Sequence, residues 1–500
     1  MRCLRRSFFE QVWCGAGKAR PECAAPLPMY GQRVITPHHS RPSTFGLFLC
    51  RHPAAAAGTP AGASARQWLK EQGVFVMCIC VLAVDDADAE RLFTLLISLP
   101  ALTSICGLTL RALPGAAVAA TQDSLAAAAC AIGQCSCLRR LVLRIELADV
   151  LADRIPASFW QYLAEARALE DLNLTIRSGA AETADGSATA NGPHLVTGLA
   201  GLSGLRTLAL SLDNVREDAT LPACLSRLVQ LTSLTLMGLR GLRCAPGWAR
   251  LPALQRLQFE ECAFAADGED ALPGMDGLGA LTCFELFMCS GLDVLPASLW
   301  QLTGLRQLGH WRILDEPPDE YLPASAPCFA FLTDCSLTGH ELEVWPACVL
   351  AMTCLTALDL NNSCFEEVPE GVSVLTALEA LTLGRHSEDL GEIGGTVDAR
   401  ALGNLARFPY LRSLTFIRCS VLLCPSFQAA AAHPCLRNLA LVTSYPAPGP
   451  SCAAFPGFVA ALLQQGRAGV LRVRDSVVQG AGQHEDQNFR GALLAVGFPL

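Results

Sequence analysis

ALTCFELFMCSGLDVLPASLWQLTGL, residues 280 to 305, carries two patterns at once. Leu281, Phe284 and Leu286 stand at relative positions one, four and six, and Cys289 at nine. Then comes Pro296, with Leu299, Leu302 and Leu305 three, six and nine residues after it. The sulfurs of Cys283 and Cys289 invite a reading as a chemical site, the apolar spacing a reading as a scaffold. In a short strand successive residues face opposite sides, so the apolar positions can turn inward together while their neighbours face out.

Both patterns recur along the chain. Pro222 is followed at the same three steps by Leu225, Leu228 and Leu231, Pro346 by Val349, Met352 and Leu355, and Pro369 by Val372, Leu375 and Leu378. The strand-like unit LxxLxLxx can be placed with its first position at Val76, Ile105, Leu138, Leu169, Leu205, Leu231, Leu254, Leu281, Leu305, Leu332, Leu355, Leu378, Leu411, Leu436 and Ala468. In these fifteen frames 44 of the 45 residues in slots one, four and six are apolar, the exception being His310. One unit cannot bury its own leucines, but stacked units can, each strand joining a parallel sheet about 4.8 Å from the last. Spacings of 23 residues occur, and longer ones contain a helix-like segment, SFWQYLAEARALEDL, or loop-like inserts near 177–198 and 385–403.

Between about residues 68 and 475 this pattern resembles the leucine-rich-repeat family, and its 23-residue spacings resemble the intracellular LxxLxLxx(N/C)xL type that continues with LP. The resemblance implies an α/β leucine-rich-repeat solenoid, with a curved parallel β-sheet on the concave face and helices and turns on the convex face. The repeat spans 67–475 in about 15 units, leaving a tail at 476–500 and, at 1–66, a leader rich in Arg, Ala, Pro and Ser that suits a disordered or transit-like segment. The resemblance also implies that the ninth slot bonds the backbone of the loop leaving the strand. That slot is Cys262, Cys289 and Cys419 in three frames, Ser363 and Ser444 in two more, His340 and His386 in another two, and asparagine in none. A thiol is a weak donor, so this ladder should be weaker than one of asparagine.

Apolar residues make up 51% of the chain and charged ones 17%, enough to build such a core mainly from leucine and alanine. Residues 1 to 66 carry nine basic and two acidic residues, leaving 28 basic and 44 acidic ones beyond. A body that acidic repels phosphate backbones, which argues against nucleic acid and for proteins, basic ones among them, as partners. The apolar run at 92 to 110 is broken by Pro100 and Gly107 and fits the repeat, so we expect no membrane insertion.

Catalytic chemistry finds little support. GAGKAR at 15 to 20 lacks the GxxxxGK[ST] form, no CxxC occurs among the 24 cysteines, and HExxH and GxSxG are absent. We therefore expect no enzyme, no cofactor and no metal site, and cysteines that stay reduced in an intracellular setting.

The slots between the inward residues line the concave sheet, which the family uses for protein recognition. Slot seven gives Glu260, Phe287, Trp311, Thr338 and Asn361 across neighbouring units, and slot five gives Gln258, Glu285, Gly309, Ser336 and Asp359. Phe287 and Trp311 should stand exposed side by side, rimmed by acids. The candidate protein-binding residues are Glu260, Glu285, Phe287, Trp311, Asp359 and Asn361. The expected function is a non-catalytic scaffold in the cytoplasm, cytoskeleton or axoneme, with organelle targeting by residues 1–66 left open. The alternatives are a substrate-recognition subunit of a ubiquitin ligase whose F-box is missing, and a GTPase-activating protein.

Overall fold

The period of three that follows each proline is the period of a 3-10 turn, whose N–H groups bond three residues back. The computed structural model shows these bonds. Leu299 N donates to Pro296 O at 3.0 Å, Leu302 N to Leu299 O at 3.1 Å and Leu305 N to Leu302 O at 3.0 Å. The same steps run from Pro346 through Val349 and Met352 to Leu355. Each turn delivers its apolar residues to the core: Leu299, Val349, Met352, Val372 and Leu375 are all fully buried.

The structure describes residues 34–35, 46–48, 76–83, 104–111, 118–147, 155–178, 198–213, 220–221, 223–244, 248–265, 272–292, 295–311, 326–338, 345–361, 370–384, 396–397, 408–417, 420–421, 435–442, 445–446 and 471–474. Among them every frame supplies one strand. In chain order these are Val76–Ala83, Ser104–Arg111, Arg140–Leu147, Asp171–Ser178, Thr207–Asp213, Ser233–Met237, Arg256–Glu260, Cys283–Phe287, Gln307–Trp311, Asp334–Ser336, Ala357–Leu360, Ala380–Gly384, Ser413–Ile417, Asn438–Val442 and Leu471–Arg474. Each pairs parallel with the next, so the chain is a leucine-rich-repeat solenoid with one open parallel sheet. From Arg140 onward the register joins equal slots: Leu257 lies opposite Phe284, Phe284 opposite Leu308, and Leu286 opposite His310. The strand at His310 therefore keeps the register of its neighbours.

The second frame needs a correction. Leu108 and Leu110, placed in slots four and six, lie opposite Leu143 and Ile145 in slots six and eight of the next unit, with an irregularity after Ile105. The frame drawn at Ile105 is thus two residues late against its neighbour, because burial of Ile105, Leu108 and Leu110 satisfies the apolar pattern in either register.

The backing changes along the chain. Early units carry α-helices, Val118–Gly133 and Ala157–Leu163, the second inside SFWQYLAEARALEDL. A Cβ on Gly133 would collide with Tyr162 O, so the helices meet where that side chain is missing. Later units carry short 3-10 turns such as Ala223–Arg227, Leu299–Gln301 and Ala347–Ala351. Among the described residues no helix is long and apolar enough to cross a membrane.

Within the first 66 residues, Val34–Ile35 and Gly46–Phe48 pair antiparallel, and Gly46–Phe48 pairs antiparallel with Val76–Ala83, Leu47 lying opposite Ile79. The remainder of that segment and the tail at 476–500 lie outside the described residues. So does most of both inserts, although Thr396–Val397 in the second pairs with Ser420–Val421 in a small separate sheet.

Candidate functional site

The coils are held at the start of each strand by a repeated bond pattern. Arg306 N and Gln307 N both donate to Thr282 O, at 2.8 and 2.9 Å, and Thr333 N and Asp334 N to Arg306 O, at 2.8 and 3.0 Å. Where slot two is threonine its hydroxyl joins the same acceptor: Thr232 Oγ1 reaches Arg206 O at 3.0 Å, Thr282 Oγ1 reaches Gln255 O at 3.1 Å and Thr333 Oγ1 reaches Arg306 O at 3.2 Å. The recurrence of threonine one residue after the first leucine is visible in the sequence, and it signals a threonine ladder that the slot reading passed over.

At the strand ends a tight turn replaces further strand. Glu261 and Met288, in slot eight, have φ of 50° and 51°, and Gly238 in the same slot has φ of 70°. Only glycine adopts this left-handed region without strain. The turn brings slot nine inward, so Leu239, Cys262 and Cys289 are buried. Cys262 Sγ approaches Leu236 O of the preceding coil and Glu260 O of its own at 3.4 Å. Cys289 Sγ sits in the same way at 3.5 Å from Phe259 O and Phe287 O. Each thiol spans two coils, the part the ninth slot was expected to play. Cys419, Ser363, Ser444, His340 and His386 lie outside the described residues.

On the concave side the equal-slot register sets Glu260, Phe287 and Trp311 in one row, each opposite the next. Glu285 stands on the strand between Gln258 and Gly309 in the neighbouring row. These four residues are therefore brought together by the fold. Asp359 lies two strands beyond Gly309 in the slot-five row, about 10 Å along the sheet. Asn361 follows the end of that strand. The six candidates thus form a cluster of four and a pair.

Phe287 is half-buried rather than exposed, which corrects one half of the expected aromatic pair. A side chain in the middle of a broad sheet is flanked on both sides by neighbouring strands, and a large ring there loses much of its solvent contact. Of Trp311 the strand position is described.

The carboxylates differ in their partners. Glu285 Oε2 lies 3.5 Å from Arg256 Nη1, and its stem leans across Gly309, where a Cβ would stand 3.1 Å from Glu285 Cγ. Glu260 Oε1 accepts from Gln258 Nε2 at 2.6 Å, while burial, then Glu261, then Glu285 push its pKa above the usual carboxylate range. Burial likewise raises Asp359, against the opposing hydrogen bonds from Asn361 N, at 2.9 Å, and the Thr338 side chain. A Cβ on Gly384 would collide with Asn361 Oδ1, so Asn361 lies over that glycine as Glu285 does over Gly309. Asp359 is thus held by its neighbours, whereas Asn361 Oδ1 is buried without a hydrogen-bond partner.

Cys283 sits in slot three, in register with Arg256 and Gln307, and is buried. Burial, with Glu285 beside it, pushes its thiol up to about 12. It is protonated at neutral pH and a poor nucleophile. Cys262, Cys283 and Cys289 are free thiols.

No described protein family matches the chain, and no curated protein does. Among solved structures the chain is similar to a leucine-rich-repeat protein of Leptospira interrogans, at 16% identity and a TM-score of 0.46, over 79% of this chain and 81% of that one.

Proposed function

We propose that the chain is a non-catalytic scaffold that binds another protein on its concave sheet, through Glu260, Glu285, Phe287 and Trp311, with Asp359 and Asn361 at the rim. One observation carries this reading. Across the five strands from Arg256–Glu260 to Ala357–Leu360 the charged residues are Glu260, Glu285, Asp334 and Asp359 against Arg256 alone, and two aromatics stand in adjacent strands among them. An acidic strip around apolar area suits a partner that presents a basic, partly apolar segment. The reading includes the intracellular repeat type for the later coils and a cytoplasmic or cytoskeletal setting.

The test uses proximity labelling of the full chain in its native cell, followed by pull-down of the labelled neighbours. The variant carrying both Phe287→Ala and Trp311→Ala should keep its circular-dichroism melt within a few degrees of wild type and lose most of the recovered partner. A double variant that recovers the same partner at the same yield overturns the reading.

A further inference from the structure

Charge along this chain is separated into two blocks. Residues 1 to 66 hold nine basic and two acidic residues, whereas residues 256 to 370 hold three basic and nineteen acidic ones. The rest of the chain beyond residue 66 is balanced, with 25 of each sign. The acid block is the set of coils whose strands run side by side from Arg256–Glu260 to Ala357–Leu360. Glu260, Glu285, Asp334 and Asp359 stand on those strands, and the run DEPPDE at 315–320, outside the described residues, follows the strand Gln307–Trp311. Like charges gathered in one stretch repel one another and oppose folding. A block of opposite sign in the same chain can offset that repulsion.

The basic block matches the acidic coils in more than sign. MRCLRRSFFEQVW, residues 1 to 13, sets Arg2, Arg5 and Arg6 beside Phe8, Phe9 and Trp13. Arginine and aromatic side chains are the usual anchors of an interface, and the arginine fork fits a carboxylate. The fold also brings this segment within reach. Val34–Ile35, where the described residues begin, pairs with Gly46–Phe48, which pairs with Val76–Ala83, the first repeat strand. Nine strand steps, about 43 Å at about 4.8 Å each, lead from Val34–Ile35 to Cys283–Phe287. The chain from Trp13 to Val34 spans up to about 70 Å when extended, which covers that distance.

We propose that residues 1 to 33 seat on the acidic coils of their own chain, with Arg2, Arg5 and Arg6 against the carboxylates of Glu260 and Glu285 and with Phe8 and Phe9 against Phe287. The leader then competes with any basic partner for that surface, an inference that rests on the proposed role of the concave sheet as a binding face. Because the occupant is tethered, it acts at an effective concentration on the order of 1 mM. Contacts too weak to retain a free peptide therefore suffice, and a partner gains the surface by displacing the leader.

The full chain carrying Arg2→Lys, Arg5→Lys and Arg6→Lys keeps the charge and supplies amines. It is treated with a carbodiimide, which joins amines to carboxylates without a spacer, then digested and mapped by mass spectrometry. Residues 256 to 370 hold 19 of the 44 acids beyond residue 66, so a leader with no preferred seat places less than half of its links there. The expected result is about four-fifths or more of the links from positions 2, 5, 6 and 18 within that block, Glu260 and Glu285 among them. Those links should fall several-fold in salt of about 0.5 M, which screens charges beyond about 4 Å. Links spread in proportion to the acids, or links that salt does not reduce, overturn the proposal. In an equal mixture of chains of natural and heavy isotope the links should join peptides of one isotope, and mixed pairs overturn the proposal in favour of a second copy as the occupant. Arg2→Glu, Arg5→Glu and Arg6→Glu together in the full chain should raise recovery of the labelled neighbours several-fold, and unchanged recovery overturns the competition. The cross-link map needs no partner, so it decides the seat of the leader separately from the test on Phe287 and Trp311.

Discussion

The coils from Arg140 to Asp213 and those from Ser233 to Phe287 share the same frame up to slot seven and part company at slot eight. In the first group the strand runs on, and slot eight is a third inward residue: Ile145, Ile176 and Leu212 are buried and lie opposite one another. In the second group slot eight is a left-handed turn at Gly238, Glu261 and Met288, and slot nine goes inward instead. The first group pairs its outward charges across strands. Arg140 reaches Asp171 at 2.6 Å, and Glu146 lies opposite Arg177 in the register. The second group begins the strip where acids outnumber bases. The long strands thus pair charge across strands, and the short strands backed by 3-10 turns carry the surface on which acids exceed bases.

The largest effect that separates the two groups comes from one substitution made at the same slot in each. Ile176→Gln buries an amide among Ile145 and Leu212 and should destabilise by about 3 to 5 kcal/mol. Met288→Gln changes a side chain that is 40% exposed and should stay within about 0.5 kcal/mol. Urea unfolding of the two variants measures both, and equal losses would break the distinction between an extended and a turned slot eight.

This contrast is legible in the residues of slots eight and nine. Slot eight is aliphatic in Ile145, Ile176 and Leu212, and slot nine charged in Glu146, Arg177 and Asp213, whereas Gly238, Glu261 and Met288 precede Leu239, Cys262 and Cys289. Slots one, four and six repeat in every coil and so give the fold, but for the same reason they cannot tell one kind of coil from another. Ile105 shows the limit of that signal, since its apolar neighbours accept a register two residues away. At the site, slot arithmetic set Glu260, Phe287 and Trp311 in one row, because parallel strands in equal register need nothing else. It did not give the half-burial of Phe287 or the lean of Glu285 over Gly309, which depend on the volume of side chains on neighbouring strands.

A smaller effect sharpens the turned slot. Met288 holds a left-handed φ of 51°, a conformation that costs about 1 to 2 kcal/mol for a residue with a Cβ. Met288→Gly removes that strain and adds about 0.5 to 1 kcal/mol of unfolded-chain entropy, so the variant should gain about 0.5 to 1 kcal/mol. Thermal melting would show a higher midpoint, and a lower one would mean that Met288 packs more than its exposure indicates.

The smallest effect concerns charge, and its sign is fixed by the cause of the shift at Glu260. Burial and the neighbouring Glu261 and Glu285 raise that carboxyl above its ordinary range, so the folded state holds the proton more tightly than the unfolded chain does. The contribution to stability is therefore favourable at pH below the ordinary carboxylate value and is lost as the pH rises through the raised one. At pH 7 the group is charged and destabilising. Glu260→Gln keeps an oxygen for the Gln258 amide and removes the charge, so at pH 7 it should stabilise by about 0.3 kcal/mol once solvent screening is allowed for. The difference from wild type should shrink as the pH falls towards 4. Asp171→Asn in the first group removes half of a 2.6 Å ion pair and should move stability the other way. Urea midpoints at pH 7 and pH 4 give both signs. If Glu260→Gln also weakens capture of the partner while the fold becomes more stable, the excess of acids serves binding at the expense of stability, and if it destabilises at pH 7 the acids of the short-strand coils are as well matched as those of the long-strand coils.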